Sequence, residues 1–334
     1  MKNLFNIVWK AAIALVAFAG FQVAASAQIQ QKEINQPFPE GFTAINIAND
    51  FDVTLVPGEE CSITLTVDDP LSPYLSVRSQ GKTLFVSFEE KSVPKEVKKL
   101  YSGRNAPKPS FHAVITMPVV ESITICDNVI LNNSAPFEAG IDKLEINATD
   151  NAQIKRLNVV SARNAKAVFQ KKATASLNIN VENNIELITE NDANVSLTSS
   201  GQELIVNASG KSKVSVQNMS NKLNIATSSN AQVSISGSSD QVLVNAEGSS
   251  KLTLSNGVGS DISVKASKSA NVDAYGLSVT TASVDISGSA QVGINAAQSI
   301  DLNMNGGKLL FGGTPMFKIV KVSKASVLPY GASE

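Results

Sequence analysis

Apolar and polar residues alternate in short runs along most of the chain, and the runs recur. LEINA from Leu144, LIVNA from Leu204, LNIAT from Leu223, VLVNA from Val242, ISVKA from Ile262 and ASVDI from Ala282 follow a two-residue apolar period. That period marks a strand with one buried face, whereas a helix would space its apolar residues by three and four. Ser, Asn, Gly and Asp fill the intervals, which reads as turns.

A second series of strings interleaves with the first: DNVIL, NAQI, TASL, DANV, KSKV, NAQV, SSKL, SANV and SAQV. Their second residues are Val129, Ala152, Ala175, Ala193, Ser212, Ala231, Ser250, Ala270 and Ala290, spaced 23, 23, 18, 19, 19, 19, 20 and 20 residues apart. A repeat of about 20 residues is the signature of a solenoid in which each repeat is one coil. A meandering antiparallel barrel also has many short strands, but it gives no reason for one residue type at every twentieth position. The predicted fold is therefore all-β: a parallel β-helix of about 20 residues per coil with two main strands per coil, preceded by a less regular β region.

In such a fold equivalent residues stack about 4.8 Å apart. Leu204, Leu223, Val242 and Ile262 then form one inward column, and Val214, Val233, Leu252, Val272 and Val292 a second. The small residues fit a tight inner corner that Leu would overfill. Upstream, Ile45 to Leu55 resembles one coil, with Phe51 where Ala stands later. Phe51 precedes Val129 by 78 residues, which reads as four coils of about 19.5. At the far end Phe311, Phe317 and Ile319 are expected to close the core as a cap.

The first 27 residues read as a targeting segment. Lys2 and Lys10 precede the apolar stretch Ala11 to Val23, and Ala25-Ser26-Ala27 supplies small residues at the −3 and −1 positions. Thirteen apolar residues fall short of the ~20 that span a bilayer. The expected divisions are a signal peptide 1–27, a linker 28–41, an N-terminal β region 42–122 with a basic excursion at 89–110, a β-solenoid 123–322 and a tail 323–334. The product would be exported to the periplasm, the outer cell surface or the medium.

Composition narrows the function classes. Lys+Arg number 28 against 29 Asp+Glu, and only 17% of residues are charged while 43% are hydrophobic. The near-neutral balance lacks the basic excess that binding to nucleic-acid phosphates requires. No later run of 18 apolar residues suggests an integral membrane helix.

One ordered pattern resembles a known family. Gly41-Phe42, Phe51-Asp52-Val53, Gly81-Lys82-Thr83-Leu84, Glu121-Ser122-Ile123 and the late coil Gly293-Ile294-Asn295 are similar, in order, to the secreted Bacteroidetes proteins called putative autotransporter adhesins of the head GIN domain type. The resemblance spans roughly Phe42 to Val322. It implies a right-handed parallel β-helix and an adhesion role, and it supplies no catalytic residues. An autotransporter also needs a membrane barrel, and no run of ~10-residue alternating membrane strands follows the coils.

Chemistry-bearing residues are sparse. Parallel β-helices include polysaccharide lyases and hydrolases, whose sites need paired carboxylates, a cationic or histidine base, or bound calcium. His112 is the one histidine, and alternation places it opposite Phe111 on the face of Val114. Asp273, Asp285 and Asp301 are 12 and 16 residues apart, so they do not stack. No catalytic residue, metal ligand or cofactor site is assigned. The candidate ligand contacts are Tyr101 and Tyr275, as aromatic platforms, and Lys95, Lys98, Lys99 and Arg104 in the basic excursion. There Lys91, Lys95, Lys98, Lys99, Arg104 and Lys108 oppose Glu96, a local sum of +5, suited to an anionic envelope polymer. Cys61 has inward parity and Cys126 outward, which opposes a disulfide between them.

The function this supports is a secreted, non-enzymatic cell-envelope protein that binds, adhesin-like, through a rigid face of outward residues such as Ser215, Gln217, Ser234, Thr253, Asp273 and Gln291. Its partner would be a glycan, an anionic envelope polymer or a surface protein. The alternative is a periplasmic structural or assembly factor that docks a protein partner by its ends or edges. The third reading is a polysaccharide lyase or hydrolase.

Overall fold

The computed structural model describes residues 29–331; the predicted signal peptide lies outside the described residues. The first strands are β1 (Gln31–Pro37), β2 (Ala44–Ile47), β3 (Asp52–Pro57), β4 (Ser62–Asp68), β5 (Leu75–Gln80) and β6 (Thr83–Phe88). A short helix α1 (Lys95–Leu100) and the strands β7 (Phe111–Met117), β8 (Ser122–Ile125) and β9 (Ile130–Asn133) follow. β2 and β3 are the two sides of one coil. On one flank they pair in parallel with β8 and β9, Ile45 opposite Ile123 and Val53 opposite Leu131. On the other flank they pair in parallel with β6 and β7, Ile45 opposite Leu84 and Val53 opposite Ala113. The coil that is later in sequence is therefore the outer one. The chain winds β2–β3, doubles back to build β6–β7 outside it, and crosses over to resume at β8.

This corrects the count of four coils between Phe51 and Val129. The two lie on adjacent coils, with the N–H of Ile130 donating to the carbonyl of Phe51 at 2.8 Å. The intervening chain leaves the parallel stack, and a period counts coils only while the chain stays in it. β4 runs antiparallel to both β1 and β7, and β5 runs antiparallel to β6. The segment read as a linker thus contributes β1 to the sheet.

Beyond this cap the winding is regular, in a solenoid of about ten turns. Its strands are β10 (Ile141–Ala148), β11 (Gln153–Phe169), β12 (Thr174–Val181), β13 (Asn184–Thr189), β14 (Asn194–Ala208), β15 (Lys213–Thr227), β16 (Gln232–Ser236), β17 (Gln241–Ala246), β18 (Lys251–Ser255), β19 (Gly257–Ala266) and the continuous β20 (Asn271–Gly312). Both inward columns form as expected. Leu204 stands opposite Leu223, then Val242, then Ile262. Val214, Val233, Leu252 and Val272 stack likewise. All are buried.

The small-residue corner is also present, with one change of register. Thr174 N–H donates to the carbonyl of Ala152, and Asn194 N–H to that of Ala173. Ala173, fully buried, therefore holds the corner position, while Ala175 stands one strand residue further, opposite Ile154. Both alanines share a parity, so alternation could not choose between them. Ser212 and Ser250 replace alanine in this column because the preceding coils supply partners. Thr189 Oγ1 donates to Ser212 Oγ at 3.1 Å, and Thr227 and Ser250 share a bond of 3.0 Å. A buried hydroxyl without such a partner would cost about 1–3 kcal/mol.

Two residues before each corner the chain turns through a left-handed residue: Asp127, Asp150, Lys171, Asn191, Gly210, Ser229, Gly248, Lys268 and Gly288 all have positive φ. Polar and glycine residues recur there because they enter this region at least cost. At Gly248 an added Cβ would also lie 2.8 Å from the backbone of Ser229 on the preceding coil.

The stack ends in β21 (Met316–Ser323) and β22 (Ser326–Pro329), each parallel to β20. Phe311 and Phe317 meet edge to face, centroids 4.9 Å apart, and pack on the core. Ile319, expected in the cap, is 62% exposed although it stands opposite buried Leu302. Among the described residues no further coil lies over it, so parity alone does not bury it. Residues 326–329, inside the predicted tail, pair with β20 and belong to the sheet.

Candidate functional site

Parallel winding turns outward residues into ladders. Ser196, Ser215, Ser234, Thr253 and Asp273 stand in direct succession on β14, β15, β16, β18 and β20. Lys213, Gln232, Lys251 and Asn271 form the neighbouring column, and the N–H of Gln291 joins it to the next coil through the carbonyl of Ala270. The face foreseen in sequence therefore exists, as short polar side chains on a fully hydrogen-bonded sheet. Such a surface is rigid because its backbone is committed to the ladder.

The C-terminal end of this face is different. Tyr275 and Tyr330 stack with ring centroids 3.7 Å apart and planes inclined by 14°. Tyr330 arrives from the last coil, held by its N–H to the carbonyl of Phe311 at 2.8 Å. Gly312 makes the seat, since a Cβ there would lie 2.4 Å from the Tyr275 ring. Beside Tyr330 is a groove of about 290 Å³ lined by Lys251, Thr253, Asn271, Asp273, Gln291 and Gly293. Asp273 Oδ1 accepts the N–H of Tyr275 at 3.2 Å, which fixes the carboxylate. Tyr330 escaped the sequence reading because it lies some 55 residues from Tyr275, in a segment read as tail.

The basic excursion lies at the opposite end of the stack, so the candidate contacts do not form one site. Lys95, Lys98 and Lys99 are on α1, and Arg104 follows it, exposed. Lys98 and Tyr101 border a cleft of about 320 Å³ with Leu71, Phe88, Val93 and Phe111. Tyr101 packs against the core. Burial first, then the nearby carboxylate of Asp68, holds its hydroxyl protonated well above the usual tyrosine range. Tyr101 is thus a wedge under α1 more than an open platform.

A third concavity, of about 580 Å³, lies on the other strand face, over Leu243, Ser263 and Ser283 with Asp261 and Asp301 at its sides. The two acids differ in setting: Asp261 accepts a bond from Thr281 Oγ1, while Asp301 stands opposite Lys318 of β21. His112 Nδ1 lies 3.9 Å from Asp52 Oδ2 with both side chains about half exposed. Among the described residues, no group of three or more His, Cys, Asp and Glu side chains is placed to hold a metal ion. Cys61 and Cys126 are free thiols, the first buried and the second partly so. Among the described residues no helix is long and apolar enough to cross a membrane.

Coils, ladders and a folded-back first turn define the class: a parallel β-solenoid with a ladder of short polar side chains on one face. The chain belongs to the family described as putative auto-transporter adhesin, head GIN domain, whose model matches residues 41–218 and 176–315. No curated protein matches it. Among solved structures it is similar to a putative adhesin from Parabacteroides distasonis, at 14% identity and a TM-score of 0.38 over 90% of this chain and 98% of that one. A putative lipid binding protein from the same organism shows 14% identity and a TM-score of 0.40 over 91% and 96%. A putative adhesin from Parabacteroides merdae shows 15% and 0.37 over 90% and 97%.

Proposed function

We propose that this is an exported, non-enzymatic cell-envelope protein that binds, adhesin-like, through the outward ladder of its solenoid. The observation that carries the reading is the register itself. Ser196, Ser215, Ser234, Thr253 and Asp273 present one short polar side chain per coil at a constant spacing. Repeated, immobile donors and acceptors suit an extended polymer, because each further unit meets the same chemistry without new ordering cost. The targeting pattern of residues 1–27 and the family membership point the same way. The exposed lysines of α1 offer a second contact, for anionic envelope polymers. Protease treatment of intact cells tests the reading: cleavage on unbroken cells, with a periplasmic control spared, is the expected result. Protection until the outer membrane is permeabilised would overturn it.

One observation favours the second reading, a structural factor that docks a protein partner by its end. On β21 Met316, Ile319 and Val320 are 75%, 62% and 72% exposed. An apolar edge strand of this kind is a template for pairing with another chain. Under that reading the protein would be protected on intact cells and would co-purify with an envelope partner through β21.

A further inference from the structure

We propose that the groove beside Tyr330 binds one sugar ring of a neutral glycan. The proposal rests on the adhesin-like reading and gives it a ligand class and a place. Three features of the groove converge on that ligand.

The first is the platform. Tyr330 is 46% exposed, and one of its faces is pinned by the stack on Tyr275. A ring already immobilised offers an apolar surface to the C–H face of a pyranose with little side-chain entropy left to lose. The second is the space. The middle column of the groove runs Thr253, Asp273, Gly293, and at Gly293 a Cβ would come within 3.4 Å of Asp273 Oδ1. With glycine there, no side chain of residue 293 fills the floor between Asp273, Leu310 and Tyr330, although the glycine itself is buried beneath its neighbours. A volume of about 290 Å³ is at the small end of ligand sites, the scale of a single ring.

The third is the polar complement. Sugar hydroxyls donate and accept together, and the groove matches both habits. The Asp273 carboxylate only accepts, while Asn271 and Gln291 each donate and accept through their amides. Lys251 and Asp273 together leave the groove with no net charge, so a neutral glycan fits better than a uronic acid or a phosphorylated one. A tyrosine pair that merely closed the last coil would need neither the empty position at 293 nor the fixed carboxylate beside it.

Affinity electrophoresis of the protein through gels containing mannan, galactan or dextran tests the proposal. At least one of these neutral polysaccharides should slow the wild type. Gly293→Leu, at a buried position, and Asp273→Ala should each weaken that retardation by about tenfold or more, the latter without lowering the melting temperature. Tyr330→Ala should do the same, and Tyr330→Phe should keep most of the binding. If the wild type is slowed and Asp273→Ala and Gly293→Leu are slowed equally, the glycan sits elsewhere on the ladder; the site is then wrong while the adhesin-like reading stands. If no neutral polysaccharide slows the wild type, the ligand class is overturned, and the protease experiment on cells still decides the broader reading by itself.

Discussion

The two ends of the coil stack meet the same physical problem and treat it differently. Any open coil exposes a row of unpaired backbone groups and the apolar face beneath it. At the N-terminal end the chain reverses strand direction. β4 and β5 pair antiparallel with the outermost coil β6–β7, and β1 adds a further antiparallel strand on β4. Antiparallel strands need only tight turns, whereas another parallel one would need a whole coil. Large aromatics fill the interior there, with Phe51 and Phe88 each packed on Phe111 at centroid distances of 5.3 and 4.7 Å. At the C-terminal end no such reversal occurs among the described residues. β21 remains parallel and outermost, guarded by Lys318 and Lys321 in place of a covering strand. Covering an end fixes it as architecture, whereas the other end leaves apolar side chains in solvent between lysines.

The largest test of that contrast is a pair of truncations. Phe51 is fully buried between the outer coils, so Phe51→Ala should cost about 3–5 kcal/mol of unfolding free energy. Ile319→Ala, at an equally apolar position of the other end, should change stability by no more than about 0.5 kcal/mol. Urea unfolding of both variants measures the difference. An Ile319→Ala loss near that of Phe51→Ala would mean that β21 is packed in solution and that the two ends are alike.

A smaller effect separates regular corners from one another. Gly248→Ala should destabilise by about 1–2 kcal/mol, because the position is left-handed and the new Cβ would crowd the backbone of Ser229 at 2.8 Å. Lys268→Gly, at the same corner one coil on, should be close to neutral. Relief of its left-handed strain is offset by the greater freedom of glycine in the unfolded chain, about 0.5–1 kcal/mol. Thermal unfolding of the pair checks this, and equal losses at both sites would remove the corner rule.

The same contrast explains what could be read in advance. In the regular coils each residue meets only its neighbours one coil away, so a period in the sequence is a period in space. Leu223 could therefore be placed under Leu204, and Ser234 under Ser215, from spacing alone. The N-terminal cap breaks that equivalence. β2 and β8 are neighbours across 78 residues because β4 to β7 lie between them in sequence and elsewhere in space. Nothing in the two-residue alternation of ITLTV or LFVSF distinguishes an antiparallel strand from a coil. Tyr275 was legible as an outward aromatic; its stacking on Tyr330 was not, since a single aromatic in an irregular terminal segment carries no period.

The smallest expected effect lies at the join between cap and coils, where the first regular corner carries Cys126. Its Sγ is 3.7 Å from Asp127 Oδ2. Burial, and after it the negative charge of Asp127, pushes the thiol up to about 11. At pH 8 only about one molecule in a thousand then carries the reactive thiolate at this position. Asp127 is held in place because its carboxylate accepts the N–H of Asn49 at 2.9 Å across the join. Asp127→Asn keeps an acceptor for that bond and removes the charge, so alkylation of Cys126 by iodoacetamide at pH 8 should become several-fold faster. The sign for stability follows from the raised value: the neutral thiol is favoured in the folded state, so its contribution is intact below the unfolded value of 9.0 and is lost as pH rises toward 11. Cys126→Ala should accordingly flatten the alkaline limb of the stability profile between those values. Alkylation of Cys126 in wild type as fast as in an unfolded control would show that the corner opens freely, and that the cap and the coils are less firmly joined than their hydrogen bonds imply.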